Sequence, residues 1–161
     1  MLSTKLLQSQ TVTFKITFIR SDTNLNSEFM IAVHCLVYLN HVPGNMANSE
    51  QLADNLCANA ARIRKVMRML KKNGLISTKE GINGGYIFKH NPKDVTLGDI
   101  YELTSTNSLS SNWRSGDIDK DCTISSGIGD VMTDIFIEGD KHYKLFLDQL
   151  SIQDVIDKLF K

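Results

Sequence analysis

The segment 59–73 carries Arg62, Arg64, Lys65, Arg68, Lys71 and Lys72 and no acid. Within it Ile63, Val66, Met67 and Leu70 fall at i, i+3, i+4 and i+7, the apolar stripe of a helix laid against a core. At about 100° per residue the opposite stripe is then Ala61, Lys65, Arg68 and Lys72, flanked by Arg62 and Arg64. A solvated helix face normally mixes signs, because i, i+4 pairs stabilise it. An all-basic face suits a polyanion instead: long cations neutralise phosphates or donate to guanine edges, and a small residue near the helix start allows close approach.

Ser49 and Asn59 each stand where a helix begins, so they serve as caps, and backbone N–H groups there also favour phosphate. Lys79 and Asn83 flank and occupy a glycine-rich tip, Glu80-Gly81-Ile82-Asn83-Gly84, from which they can reach a backbone. Cys122 stands in a polar stretch just before a helix start, which makes it the candidate redox sensor. Cys35 falls in an apolar run, as a core residue does. No catalytic constellation appears: no histidine lies near Cys122 to activate it, and there is no phosphate loop and no metal-ligand spacing, so the chain is not expected to be an enzyme.

The elements that must position these residues can be read from periodicity. Ser27 to about Asn40 is an almost wholly apolar helix, with Ser27 as its cap and Glu28 in its first turn. Pro43-Gly44-Asn45 is a turn, and a short helix capped by Ser49 runs from Glu50 to about Leu56. After a break at Cys57-Ala58 comes the basic helix, stopped by Asn73-Gly74, with Gly74 suited to a left-handed cap. Strands at Leu75–Lys79 and Gly85–Lys89 form a hairpin. Thr96-Leu97-Gly98-Asp99 and Ser151-Ile152-Gln153-Asp154 read as capping boxes opening a helix to about Leu103 and a terminal helix. Between them a Ser/Asn/Asp/Gly-rich loop covers residues 105–121. A long helix with Ile128, Val131, Met132, Ile135 and Phe136 at helical spacing follows.

Helix, helix, helix, hairpin is the order of a winged helix-turn-helix, in which the third helix enters the major groove of double-stranded DNA. The expected fold is therefore mainly α with a small β-hairpin. Residues 26–104 form a winged-helix DNA-binding domain, and residues 122–161 form a helical region with a long C-terminal helix. Residues 1–25 are an N-terminal extension with a strand-like alternation, Val12, Phe14, Ile16 and Phe18. A winged-helix module that binds only protein is the alternative, but it has no need of an all-basic outward stripe.

Charge distribution supports the nucleic-acid reading. The formal net charge is zero, yet residues 62–93 hold nine bases against one acid while residues 94–161 hold thirteen acids against six bases. No apolar run approaches the roughly 18 residues of a membrane span. The three cysteines, Cys35, Cys57 and Cys122, show neither zinc nor disulfide spacing, so the expectation is a cytoplasmic protein with reduced thiols, no membrane partner and no metal.

The runs Ser49-Glu50-Gln51-Leu52-Ala53, Leu70-Lys71-Lys72-Asn73-Gly74-Leu75-Ile76, Gly81-Ile82-Asn83-Gly84-Gly85-Tyr86 and Val95-Thr96-Leu97-Gly98-Asp99-Ile100 resemble the Rrf family of bacterial winged-helix transcription regulators, of the IscR, NsrR and CymR type. The resemblance spans about residues 26–160. It implies a homodimeric repressor on a pseudo-palindromic operator, joined by the long helix near residues 125–147. Cluster-binding members carry three cysteines in the loop before that helix. Here only Cys122 matches, and the family's nearby histidine ligand falls on a serine. An iron–sulfur cluster takes about four protein ligands, so none is expected, and the signal would be an oxidant or a small molecule. Relatives often place a minor-groove arginine where this chain has Glu80, which weakens the expected role of the wing. Relatives also begin near Leu25, a residue that a UUG start codon would encode, so residues 1–24 are expected to lie outside the native product.

Overall fold

The structure, a computed structural model, describes residues 27–105, 109 and 113–161, so the alternating segment at 11–18 lies outside the described residues. Helix α1 (Ser27–His41) is buried on several sides, through Phe29, Ile31, Ala32, Cys35, Leu36, Val37 and Leu39, as its nearly continuous apolar sequence requires. One turn of 3-10 helix at Pro43–Asn45 leads into strand β1 (Met46–Ala47), then α2 (Ser49–Leu56) and α3 (Ala60–Lys72). Strands β2 (Ser77–Lys79) and β3 (Gly85–Ile87) follow, then α4 (Leu97–Thr104), α5 (Thr123–Leu147) and α6 (Ile152–Leu159).

The sheet has three strands rather than the expected two, in the order β1-β3-β2 and antiparallel throughout. Strand β1 pairs Met46 with Ile87 and Ala47 with Tyr86. Two residues are too few to show alternation, so only the partner strand reveals that this segment is extended. The first hairpin strand begins at Ser77, not Leu75, because the Leu75 N–H is spent on the Leu70 carbonyl at 3.0 Å in closing α3. Gly74 takes the left-handed conformation, φ +79°, at that helix end.

The cap of α2 is Asn48, not Ser49. The Asn48 side chain accepts from the Gln51 N–H at 2.9 Å, and the Gln51 side chain accepts from the Asn48 N–H at 2.9 Å. Ser49 is consequently the first helical residue. The box is Asn-x-x-Gln, and an amide at each end closes it as well as a hydroxyl and a carboxylate would. Asn59 caps α3, accepting from the Ala61 N–H at 2.8 Å. Both other boxes form as read: Thr96 with Asp99, and Ser151 with Asp154.

The core is continuous across the elements. Leu52 of α2, Ile63, Val66, Met67 and Leu70 of α3, Phe88 after β3, Ile100 and Tyr101 of α4, Leu147 of α5 and Ile152 of α6 are all buried with the α1 residues. The chain end is stitched in by backbone bonds from Leu97 N–H to the Leu150 carbonyl (2.7 Å) and from Ile152 N–H to the Val95 carbonyl (3.0 Å). Helix α5 is attached through its C-terminal half. The Tyr101 hydroxyl donates to Asp140, the rings of Tyr101 and Tyr143 meet edge-on at 5.3 Å, and Lys144 lies 3.4 Å from Glu102.

Candidate nucleic-acid interface

Helices α2 and α3 are joined by a tight turn. Cys57 closes α2 in the left-handed conformation, and its N–H bonds the Ala53 and Asp54 carbonyls. Two residues later Asn59 opens α3. The short connection, together with the Ile63–Leu70 stripe in the core, sets the rotation of α3 about its axis. Ala61, Arg64, Lys65, Arg68 and Lys72 are thereby exposed and Arg62 is half-buried.

Side chains from other elements divide this basic face into two groups. Arg62 donates to the Ser27 hydroxyl at the start of α1, and Lys65 lies 2.5 Å from Glu28. Arg64 lies 3.5 Å from Glu50 and 3.4 Å from the Ser49 hydroxyl on α2. The two acids that balance the face thus come from the first turns of α1 and α2, and no window on α3 alone could find them. Lys71 donates to the Thr78 hydroxyl at 2.8 Å, tying α3 to β2. The side chains of Arg68 and Lys72 on α3 and of Lys79 on β2 make no hydrogen bond or ion pair among the described residues. They are the cations most available to an external anion.

The hairpin lies beside this face. Burial pushes the Tyr86 hydroxyl above its ordinary range, while the nearby Arg64 and Arg68 charges pull it down and Glu50 pushes it up. The bond from Lys71 to Thr78 sets the hairpin alongside α3. Asn83 is exposed at the hairpin tip and, with Ile82 and Gly84, borders a recess of about 230 Å³ whose other wall is Met46, Ala47, Asn48 and Gln51. Ser49 stands on α2, Asn59 to Lys72 at the start of and along α3, and Lys79 and Asn83 on the hairpin, with Ser49 brought to 3.4 Å from Arg64. Sequence reading missed Glu28 and Glu50 as counterions, Asn48 and Gln51 as the α2 cap, and Tyr86 as a neighbour of the arginines. An Asn-x-x-Gln before an apolar run would have disclosed the cap; the counterions left no local signal.

Cys122 is exposed and occupies the cap position of α5 without a side-chain capping bond. Cys57 is exposed in the α2–α3 turn. Cys35 is sealed in the core, and burial pushes its thiol up to about 12. Residues 105–122 contain one cysteine and no histidine. With the other two thiols placed in α1 and the α2–α3 turn, this donor set does not fit an iron–sulfur cluster in that loop.

A three-helix body, a small antiparallel sheet with a projecting hairpin, and a basic third helix beside that hairpin define a winged-helix transcription regulator. Residues 25–158 match the family described as Rrf2, iron-dependent transcriptional regulator, and the chain belongs to that family. It is 23% identical over 136 residues to YwnA of Bacillus subtilis (strain 168), named as an HTH-type transcriptional regulator, covering 84% of this chain and 99% of that protein. A crystal structure of a transcriptional regulator from Lactobacillus plantarum is similar, with a TM-score of 0.73 and 30% identity, covering 82% of this chain and 89% of the other. Staphylococcus aureus CymR shares the fold at a TM-score of 0.58 and 14% identity, over 80% of this chain and 94% of CymR. No helix among the described residues is long and apolar enough to cross a membrane.

Proposed function

We propose that this regulator binds a pseudo-palindromic DNA operator as a homodimer and represses transcription, with α3 in the major groove of each half-site. The observation that carries this reading is the pair of exposed α3 cations, Arg68 and Lys72, beside the hairpin and without an internal partner among the described residues. In this reading Ala61, Arg64 and Lys65 approach the groove, while Ser49, Asn59, Lys79 and Asn83 meet the backbone. Arg62 supports α3 from behind through Ser27.

The dimer is proposed from α5. Of its 25 residues only Gly129 and Leu147 are buried, while Ile124, Val131, Met132 and Ile135 are exposed. Their spacing places them on adjoining rows of the helix, an apolar seam that a second copy would cover. The input signal we propose is an oxidant or small molecule acting without a cluster, with Cys122 as the thiol in the region leading into α5.

The test is binding to duplex DNA from the promoter of the chain's own gene at several salt concentrations. Specific binding should weaken steeply with salt, each neutralised phosphate contributing about −0.9 to the log–log slope. Affinity for that promoter no greater than for unrelated DNA would sink the reading in favour of a protein-binding winged helix.

A further inference from the structure

We propose that Ile82, at the tip of the hairpin, is a specificity-determining residue that inserts into the DNA minor groove and selects A·T over G·C pairs there. The proposal rests on the DNA-binding reading above. Ile82 is fully exposed, at 105% of its reference area. Exposure of a single apolar residue is ordinary by itself. What matters here is where the side chain is held and what surrounds it.

The tip is tightly built. Register fixes Ser77 opposite Ile87, Thr78 opposite Tyr86 and Lys79 opposite Gly85. The Gly84 N–H donates to the Gly81 carbonyl at 2.9 Å, and a Cβ on Gly84 would lie 2.3 Å from the Lys79 carbonyl, so the turn closes this tightly only with glycine there. Strand β2 is tied to α3 by the 2.8 Å bond from Lys71 to Thr78, and β3 is backed by β1. The tip is thus held relative to the basic helix, and its recess opens against the start of α2. With α3 in the major groove of a duplex, an element beside that helix meets the adjacent minor groove, as the arm beside a homeodomain's recognition helix does.

The tip carries no surplus of positive charge. Lys79 and Glu80 carry opposite charges, and Gly81, Ile82, Asn83 and Gly84 carry none. A cation reaching along the groove is therefore not what this hairpin supplies. It supplies a β-branched aliphatic side chain, stiff at χ1, of the kind minor-groove binders use as an apolar wedge. Sugar faces and A·T edges leave room for such a group, whereas guanine places its N2 amino group on the floor of the groove. An aliphatic side chain can neither accept a hydrogen bond from that amino group nor avoid burying it.

The experiment starts from duplexes selected by the wild-type chain from a randomised library, with the pair beneath the wing then set to A·T, G·C or inosine·C. Inosine lacks the N2 amino group but otherwise has guanine's edges. Wild type should bind the A·T and inosine·C duplexes alike and the G·C duplex about tenfold more weakly. Ile82→Ala should bind the A·T duplex about fivefold more weakly with an unchanged salt slope, because apolar contact and no phosphate contact is lost, and should no longer distinguish the three pairs. Ile82→Val should retain the discrimination. Specific binding that ignores both the minor-groove amino group and the Ile82→Ala change overturns this proposal alone. A wild-type chain that selects no duplex overturns it together with the DNA reading.

Discussion

Arg68 and Lys65 share a helix face and a charge, but differ in what removing them would release. Lys65 is held 2.5 Å from Glu28, whereas Arg68 makes no ion pair among the described residues. Exposed pairs of this kind are worth only about 0–1 kcal/mol, so Lys65 can be recruited by phosphate at small cost. Arg68→Ala should reduce the magnitude of the salt slope of DNA binding by about one and weaken binding at all sequences or relax one base preference, according to whether it meets phosphate or guanine. Glu28→Gln should strengthen DNA binding modestly at low salt, an effect that fades as salt rises; an unchanged low-salt affinity would show that Lys65 is not used. The thiols make a second residue-scale prediction. Cys57 and Cys122 should react with an aromatic disulfide reagent in the native protein, and Cys35 only on unfolding, because its thiol is buried and held neutral. Three fast thiols in the folded state would contradict the packing of α1.

At the scale of elements, the caps and the α4–α5 contact fix the ends and angles of the helices. Ser151 donates to the Asp154 carboxylate through its hydroxyl at 2.6 Å and its N–H at 2.7 Å, and these bonds hold that carboxyl below its ordinary value of 3.8. A carboxyl lowered in the folded state adds stability that is present above the unfolded value and is lost as the pH falls through the folded one. Asp154→Asn should therefore flatten the acid limb of the unfolding curve below pH 3.8, read by circular dichroism, while stability near neutrality also falls with the weakened cap. Tyr101 joins α4 to α5 through its hydroxyl on Asp140 and its ring against Phe29 and Tyr143. Tyr101→Phe keeps the ring contacts and removes only the bond to a carboxylate, for an expected loss of about 1–2 kcal/mol in denaturant unfolding. A loss near zero would mean that the aromatic packing alone sets the angle of α5. The elements were largely legible in sequence because caps and stripes are local: Asn59, Thr96 and Ser151 act within three residues of themselves. Strand β1 was not, since two residues acquire their conformation only by pairing with β3.

For the whole molecule, the proposed function divides labour between a basic centre that binds DNA and an acidic C-terminal part whose long helix joins two copies. The apolar seam of α5 predicts that Ile135→Asp, an exposed position with no core role in one protomer, leaves the fold intact but shifts sedimentation to the monomer. Operator affinity should then fall steeply, because two half-sites are no longer engaged together. An Ile135→Asp chain that still sediments as the wild type would place the subunit contact elsewhere.

The sequence by itself determined the order of elements, the inward stripe of α3, the glycine-closed hairpin, the concentration of positive charge between residues 62 and 93 and the absence of a cysteine set in the 105–122 loop. All of these depend on neighbours a few residues away or on composition. Only the tertiary structure decided which cations are already engaged and which stand open, because Glu28 and Glu50 reach α3 from elements 37 and 14 residues distant in sequence (Lys65 from Glu28, Arg64 from Glu50). It also decided that the hairpin gains a third strand and that a recess separates the exposed Ile82 tip from the start of α2. Charge can be counted along a chain, but its availability depends on what folding brings within a few ångströms of it.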